Sequence, residues 1–279
     1  MISTKTIKER QVSRIDTSQV RELGGDHQLR PLVLPGNWAE TDPFLLLAED
    51  WYGAGAFDDH PHRGFETVTY VVDGTLSHHD NQGNHGMIRP GEALWLTAGR
   101  GIVHNEDAVD RVHTLQLWIN LPRVAKNVRA NYQELRAVMV PVRKLPGAEV
   151  KVFSGRSGDV VMPTSRFAQV TMLEIQLDPD ASFSEVLPPG YNCFIVMIAG
   201  NGWIGTTPAQ EEQVAWLNRE IEESQVRLKG GSKGLRAILY AGLPLNEPVA
   251  AKGPFVMTTD AEIAEAYSEF QKQGERFGL

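Results

Sequence analysis

The feature that most constrains the fold of this chain is a rhythm of short runs rich in β-branched and aromatic residues. Glycine occurs 26 times and proline 16 times in 279 residues, spread along the whole chain. Runs of strand length lie between these turn residues, at 65–72, 92–96, 111–119, 167–177, 192–199 and 235–240. Many short strands without alternating long helices favour a barrel or a sandwich, so the sequence predicts an all-β protein.

The strand rhythm occurs twice, over about residues 40–120 and again over about 165–245. The stretch 121–147 contains three prolines and no strong strand signal, which predicts an inter-domain connection with a helical turn around 128–136. We therefore expect two tandem antiparallel β-barrels or sandwiches of the jelly-roll type. The predicted N-terminal domain covers residues 1–135, and the C-terminal domain covers 136–279.

The C-terminus carries a helix signature. Thr259 and Glu262 fit a capping box, in which each side chain satisfies a free backbone N–H group at the helix start. Gly274 stands where a C-terminal capping glycine belongs. We predict one amphipathic helix over residues 260–273, packed on the C-terminal barrel.

Charge and cysteine content narrow the classes of partner. The chain has 27 Lys and Arg against 35 Asp and Glu, a net charge of −8 that disfavours direct binding to nucleic acid or an anionic membrane. A protein partner stays open. Cys193 is the single cysteine and lies in an apolar run, so it is interpreted as a small buried hydrophobe. The polar N-terminus resembles no secretory signal, and the expected location is cytoplasmic.

All eight histidines lie in the first 113 residues, so only the first barrel can hold a histidine-rich metal site. His60 and His62 enter a predicted strand, and side chains two apart on a strand share a face, with Cα atoms roughly 6–7 Å apart. His104 and Glu106 repeat this spacing, and turn residues between the two pairs can fold them together. The spacing predicts one metal ion held by His60, His62, His104 and Glu106.

The other histidines are interpreted differently. His78, His79 and His85 lie in a polar, glycine-containing hairpin and are expected to face water. His113 alternates with apolar residues and is expected to be a hydrogen-bonded histidine of the core or its rim.

Three imidazoles and one carboxylate suit a borderline divalent ion: iron, nickel, copper, manganese or zinc. Calcium and magnesium prefer more oxygen ligands, and a thiolate zinc site is excluded because no cysteine is nearby. Four protein ligands on a six-coordinate ion leave two positions open. These suit O₂ and an anionic substrate such as a phenolate or enolate.

These residues resemble the signature of the pirin family within the cupin superfamily. The resemblance rests on residues 60–70 (HPHRGFETVTY), 97–106 (TAGRGIVHNE), 116–122 (QLWINLP), 244–248 (PLNEP) and 253–257 (GPFVM). It implies a bicupin with one metal ion, usually Fe²⁺, in the N-terminal barrel and a metal-free C-terminal barrel. The family's four ligands fall on His60, His62, His104 and Glu106.

The resemblance implies two functions of different classes. Several pirin-like proteins cleave the flavonol quercetin with O₂, which predicts a phenolic small-molecule substrate and ring opening with loss of carbon monoxide. In that case Glu106 is either the general base or a plain ligand, and the sequence leaves both roles open. A nuclear branch acts as an iron-dependent transcription cofactor, so the alternative is a non-enzymatic iron- or redox-sensing regulator acting through a protein partner. A cupin isomerase fits the motifs less well.

Further residues are assigned to the surroundings of the ion. Four side chains are expected to line its cavity: Phe65, Trp95, Gln116 and Trp118. Glu66 is expected to brace the site by a hydrogen bond rather than to touch the ion.

Overall fold

The structure is a computed structural model that describes residues 7–164 and 167–279; the first six residues of the polar N-terminus lie outside it. Helix α1 spans Trp38–Thr41 and helix α2 spans Asp260–Gln273, and short 3-10 turns occupy Arg123–Ala125 and Gly274–Arg276. The strands, β1 to β24 in chain order, are Lys8–Glu9, Val12–Thr17, Arg21–Gly24, His27–Val33, Phe44–Gly53, His60–His62, Phe65–Asp73, Leu76–Asp80, His85–Ile88, Ala93–Thr97, Ile102–Ala108, Arg111–Asn120, Asn131–Leu135, Val142–Leu145, Ala148–Ser157, Val160–Met162, Val170–Leu177, Ser182–Leu187, Asn192–Ile204, Thr207–Gln210, Gln213–Leu217, Ser224–Gly242, Ala250–Lys252 and Phe255–Met257. The predicted all-β class with one C-terminal helix is confirmed.

The chain forms two compact units whose bounds differ from the predicted division at residues 135 and 136. The histidine unit consists of Gln19–Met139 and Leu245–Leu279, and it contains all eight histidines. The histidine-free unit consists of the described residues up to Ser18 and of Val140–Pro244. Each terminal segment therefore belongs to the unit built mainly from the other part of the chain. Sequence patterns locate strands but do not show which sheet a terminal segment joins.

The histidine unit is built on two main antiparallel sheets. The seven-stranded sheet has the order β13-β10-β7-β12-β5-β4-β3, and the four-stranded sheet has the order β6-β11-β8-β9. The stretch predicted to hold a helical turn contains β13 instead, which pairs with β10 from Ala93 opposite Leu135 to Thr97 opposite Asn131. The local sequence favours a strand only weakly. Burial of the Leu135 side chain stabilises the strand in this position.

Helix α2 begins at the predicted capping box. The Thr259 side chain accepts a hydrogen bond from the Glu262 N–H group, and the Glu262 carboxylate accepts one from the Thr259 N–H group. The helix buries Ile263 and Ala266 against Val103 of β11, which immediately precedes His104. The helix thus packs on the histidine unit rather than on the C-terminal barrel, because its apolar face matches a cluster that includes Phe255 and Phe277.

The histidine-free unit has a continuous apolar core. Its main sheet follows the order β14-β15-β17-β22-β19-β21-β2. Cys193 is buried in this core beside aliphatic side chains, and burial raises the pKa of its thiol to about 12. The interpretation of Cys193 as a small hydrophobe is confirmed. Among the described residues, no helix has the length and apolar character needed to span a membrane.

Candidate metal centre

Two antiparallel strands carry the predicted ligands. Strand β6 pairs with β11 so that His60 lies opposite His104 and His62 lies opposite Ile102. His60 and His62 share one face of β6 because they are two residues apart. On β11, His104 and Glu106 share a face by the same rule. The two strands bring together residues that are more than 40 positions apart in sequence.

The three imidazoles of His60, His62 and His104 converge. Their ring centroids lie 4.8 Å apart for His60 and His62, 4.5 Å for His60 and His104, and 4.8 Å for His62 and His104. One nitrogen of each ring lies within 4.8 Å of the others, so this group can hold a metal ion. The Nδ1 atoms of His60 and His62 lie 2.8 Å and 3.4 Å from the carbonyl oxygens of Asp58 and Pro254. An Nδ1–H group that donates to a carbonyl leaves Nε2 free as a ligand.

Burial keeps the imidazoles of His62 and His104 neutral. Desolvation lowers the pKa of His62 to about 3, and repulsion from His60 acts in the same direction. Desolvation also lowers the pKa of His104 well below its usual value, with further repulsion from the neighbouring histidines. A neutral imidazole is the form that binds a metal ion, so near neutral pH these rings need lose no proton on binding.

Glu106 is buried, and only one of its carboxylate oxygens has protein donors. Oε2 accepts hydrogen bonds from the Thr69 hydroxyl at 2.8 Å and from the Gln116 amide at 3.1 Å. Oε1 has no hydrogen-bond partner, and it lies 3.9 Å from Nδ1 of His104. Thr69 and Gln116 therefore fix the carboxylate and leave Oε1 beside His104. Glu106 forms a close group with His104 but does not belong to the group of His60, His62 and His104.

The donor set fits a divalent transition metal. Both ring nitrogens of His104 and Oε1 of Glu106 are buried without a hydrogen-bond partner. Each such group costs about 1–3 kcal/mol when it is left unsatisfied, unless a ligand satisfies it. Nitrogen and carboxylate oxygen donors in a water-poor setting match iron, nickel, copper, manganese and zinc.

The structure places His78 differently from the prediction. His78 is 3% exposed, and its ring centroid lies 5.5 Å from that of His104, whereas His79 and His85 are exposed as expected. His78, His104 and Glu106 form a second group whose ligand atoms lie within 4.8 Å of one another. Strand β8 alternates, with Leu76, His78 and Asp80 buried, but its sequence has a single apolar residue and so gave no sign of this alternation.

The predicted cavity residues separate into two sets. Phe65 and Trp118 flank the ring of His62, with centroids 5.0 Å and 5.2 Å away. The Trp118 indole donates to the Gln116 side-chain oxygen at 3.3 Å, and Gln116 in turn donates to Glu106. Trp95 pairs with Val68, next to Thr69 on β7, so its side chain projects from the opposite face of the sheet.

Glu66 lies on that opposite face as well. Its Oε1 accepts a hydrogen bond from the Thr97 hydroxyl at 2.7 Å. The hydrogen bond expected to support the metal site is therefore made to the neighbouring strand β10 instead. Burial raises the pKa of Glu66 to about 7. His113 is a hydrogen-bonded rim histidine, as predicted, since its Nε2 lies 2.8 Å from Oε1 of Glu49.

Comparison with known proteins gives matches over both units. The family model described as Pirin matches residues 30–119, and the model described as Pirin C-terminal cupin domain matches residues 172–278. Pirin from Homo sapiens is 37% identical over 276 residues, which covers 96% of this chain and 91% of that protein.

Two crystal structures are similar over nearly their whole length. The structure of GK1651 from Geobacillus kaustophilus has a TM-score of 0.85 and 42% identity, covering 88% of this chain and 100% of that one. The structure of quercetin 2,3-dioxygenase from Acinetobacter baumannii has a TM-score of 0.85 and 27% identity, covering 97% and 100%. The similarity therefore extends over the sheets that carry the histidines and over the second cupin domain.

Proposed function

Because this chain belongs to the pirin family of the cupin superfamily, we propose that it is a metal-dependent dioxygenase that cleaves a flavonol such as quercetin with O₂. In this proposal His60, His62, His104 and Glu106 hold one divalent transition-metal ion, with Fe²⁺ ahead of nickel, copper, manganese and zinc. The similarity to a quercetin 2,3-dioxygenase over the whole length of both chains supports the reaction class.

The observation that carries the proposal is the convergence of three imidazoles beside an unpaired carboxylate oxygen. Oε1 of Glu106 is buried and has no hydrogen-bond partner, and both ring nitrogens of His104 are likewise buried without one. A buried arrangement of this kind is unfavourable by itself, and a cation beside Oε1 of Glu106 and one ring nitrogen of His104 would satisfy those two atoms. The same set carries one negative charge, so a divalent ion keeps a net charge near +1 that attracts an anionic substrate.

The bound ion would supply Lewis acidity that favours the deprotonated form of a substrate hydroxyl and would provide positions for O₂ and substrate. Glu106 is the proposed general base. Because Thr69 and Gln116 donate to Oε2, Oε1 is the oxygen that is available either to the ion or to the substrate proton. Trp118 holds Gln116 from the other side, so the carboxylate keeps its orientation during the transfer. The net conversion takes up one O₂, opens the central flavonol ring and releases one carbon monoxide.

Aromatic side chains beside the ligands support a planar substrate. Phe65 and Trp118 lie with ring centroids 4.2 Å apart and both contact His62. Phe65 is fully buried, so the partly exposed Trp118 is the flat surface that suits stacking with a phenolic ring next to a cationic centre. His62 and His104 are buried enough to keep bulk water away.

The test is anaerobic reconstitution of the metal-free protein with each candidate metal, followed by oxygen uptake and carbon monoxide detection with quercetin. We expect one equivalent of metal per chain and quercetin-dependent oxygen uptake with Fe²⁺. A protein that binds metal at these residues but consumes no O₂ with any flavonol would instead support the regulator that acts through a protein partner.

A further inference from the structure

We propose that His78, together with His104 and Glu106, forms a second position for a divalent transition-metal ion next to the one that includes His60 and His62. This inference rests on the proposed function in one respect, namely that the histidine unit binds such an ion. The two groups of ligand atoms have His104 in common, and Glu106 lies two residues further along β11. An ion that changes position therefore exchanges the pair His60 and His62 for His78.

The orientation of His78 is fixed by two neighbours. Its Nε2 lies 3.4 Å from a carboxylate oxygen of Asp80, and its ring stacks on Tyr132 with centroids 4.9 Å apart and planes 29° apart. Asp80 is held in turn by backbone N–H groups of Gln82 and Asn84, at 2.9 Å and 3.0 Å. A carboxylate that orients one nitrogen of an imidazole is the usual support for a metal ligand, because it fixes which nitrogen stays free.

The free nitrogen of His78 has no protein partner. Nδ1 is buried and makes no hydrogen bond, and the same is true of both nitrogens of His104 and of Oε1 of Glu106. A histidine that only filled space could direct its polar atoms at protein donors or at water. These unpaired atoms belong to the three residues whose ligand atoms lie within 4.8 Å of one another.

The second position is more enclosed than the first. His78, His104 and Glu106 are all buried, whereas His60 of the first group is partly exposed. The pairing of β8 with β11 sets this geometry, since His78 lies directly opposite Glu106 and Asp80 lies opposite His104. Because all three of its ligands are buried, the second position is the less accessible of the two to a substrate.

The experiment uses Co²⁺ as the probe, because its visible absorption reports ligand number and its affinity can be measured by chelator competition. In the double variant His60→Gln/His62→Gln, the first group is disabled and the second is intact. We expect the metal-free double variant to bind one Co²⁺. Adding His78→Gln should weaken that binding by at least about tenfold to a hundredfold, since loss of an outer partner alone has that effect. Adding His85→Gln, an exposed histidine of the same hairpin, should leave it unchanged.

Two results would overturn the inference: a folded double variant that binds no Co²⁺, or equal Co²⁺ affinity with and without His78. Wild-type protein that binds no Co²⁺ would also remove the proposed metal function, whereas wild-type binding that disappears in the double variant removes this inference alone. If the double variant does not fold, the single variant His60→Gln answers the same question. Its anomalous diffraction should place the ion beside His78, and an ion found away from His78 would refute the second position.

Discussion

In the histidine-free unit, buried carboxylates have cations from the protein beside them, whereas in the histidine unit Glu106 has none. Glu174 lies 2.7 Å from Nε of Arg236 and 3.1 Å from Nζ of Lys151, and Glu185 lies 3.6 Å from a guanidinium nitrogen of Arg143. Glu106 is as deeply buried, but its neighbours include the neutral donor Thr69 and His104, whose pKa is lowered by burial. A buried charge is costly unless it is paired, so Glu174 and Glu185 are compensated within the protein, whereas Glu106 keeps one oxygen available to a ligand.

The inward-facing side chains of the two units also differ in polarity. In the histidine-free unit, strands β15, β17, β19 and β22 contribute an apolar core that includes Val150, Ile175, Ile195 and Leu239. In the histidine unit, the strands around the site present Thr69, Gln116 and Glu106 to a shared space. Two units built on similar antiparallel sheets therefore differ in function through the residue types on one face of a few strands.

Replacing His104 should give the largest effect, because both metal-ligand groups contain it. We expect His104→Gln to lose more than about a hundredfold in metal affinity and to lose turnover with it, since even outer partners of ligands contribute tenfold to a hundredfold. Metal analysis after chelator competition measures this, with exposed His79→Gln as the control. Metal content unchanged in folded His104→Gln would refute the assignment of the site.

Glu106→Gln tests the proposed base. We expect turnover of quercetin to fall by about a hundredfold or more, while most of the bound metal remains, because the amide keeps the size of the side chain but accepts no proton. Steady-state oxygen uptake is compared at equal metal loading. Parallel loss of metal and activity would identify Glu106 as chiefly a ligand. Turnover at the wild-type rate in the metal-loaded variant would show that Glu106 is not the general base.

Glu66 should make stability depend on pH. Burial raises its pKa to about 7 in the folded protein, above the usual value of 4.5, so the folded state binds more protons than the unfolded state between these pH values. Stability should therefore fall as pH rises from about 4.5 to 7, by up to about 3 kcal/mol from this group. Urea unfolding of the metal-free protein should show this slope, which Glu66→Gln lacks. The control Glu265→Gln, at an exposed position, should keep it.

The paired and unpaired carboxylates should respond with opposite signs in metal-free protein. Glu174→Gln leaves Arg236 and Lys151 without their counter-charge and should lower the free energy of unfolding by about 1–2 kcal/mol. Glu106→Gln removes an unpaired buried charge and should not lower it. Thermal unfolding of both variants checks the comparison. Equal destabilisation by the two substitutions would show that the Glu106 carboxylate, like that of Glu174, is stabilised by its neighbours in the protein.

Much of this molecule follows from its sequence alone. The turn-bounded runs gave the all-β class, and the period of two placed His60 with His62 and His104 with Glu106 on common strand faces. The capping box located α2 to the residue, because capping depends on groups within one helical turn. Local rules of this kind need no knowledge of the rest of the fold.

Only the tertiary structure decided which elements meet. The pairing of β8 with β11 turned His78 from an expected surface residue into a buried neighbour of His104, and the pairing of β10 with β7 directed Trp95 away from the site. Helix α2 joined the histidine unit because Val103 and Phe277 complete its apolar cluster. Such outcomes depend on register and on contacts between residues far apart in the chain, where a shift of one residue reverses every side chain and no local pattern reports it.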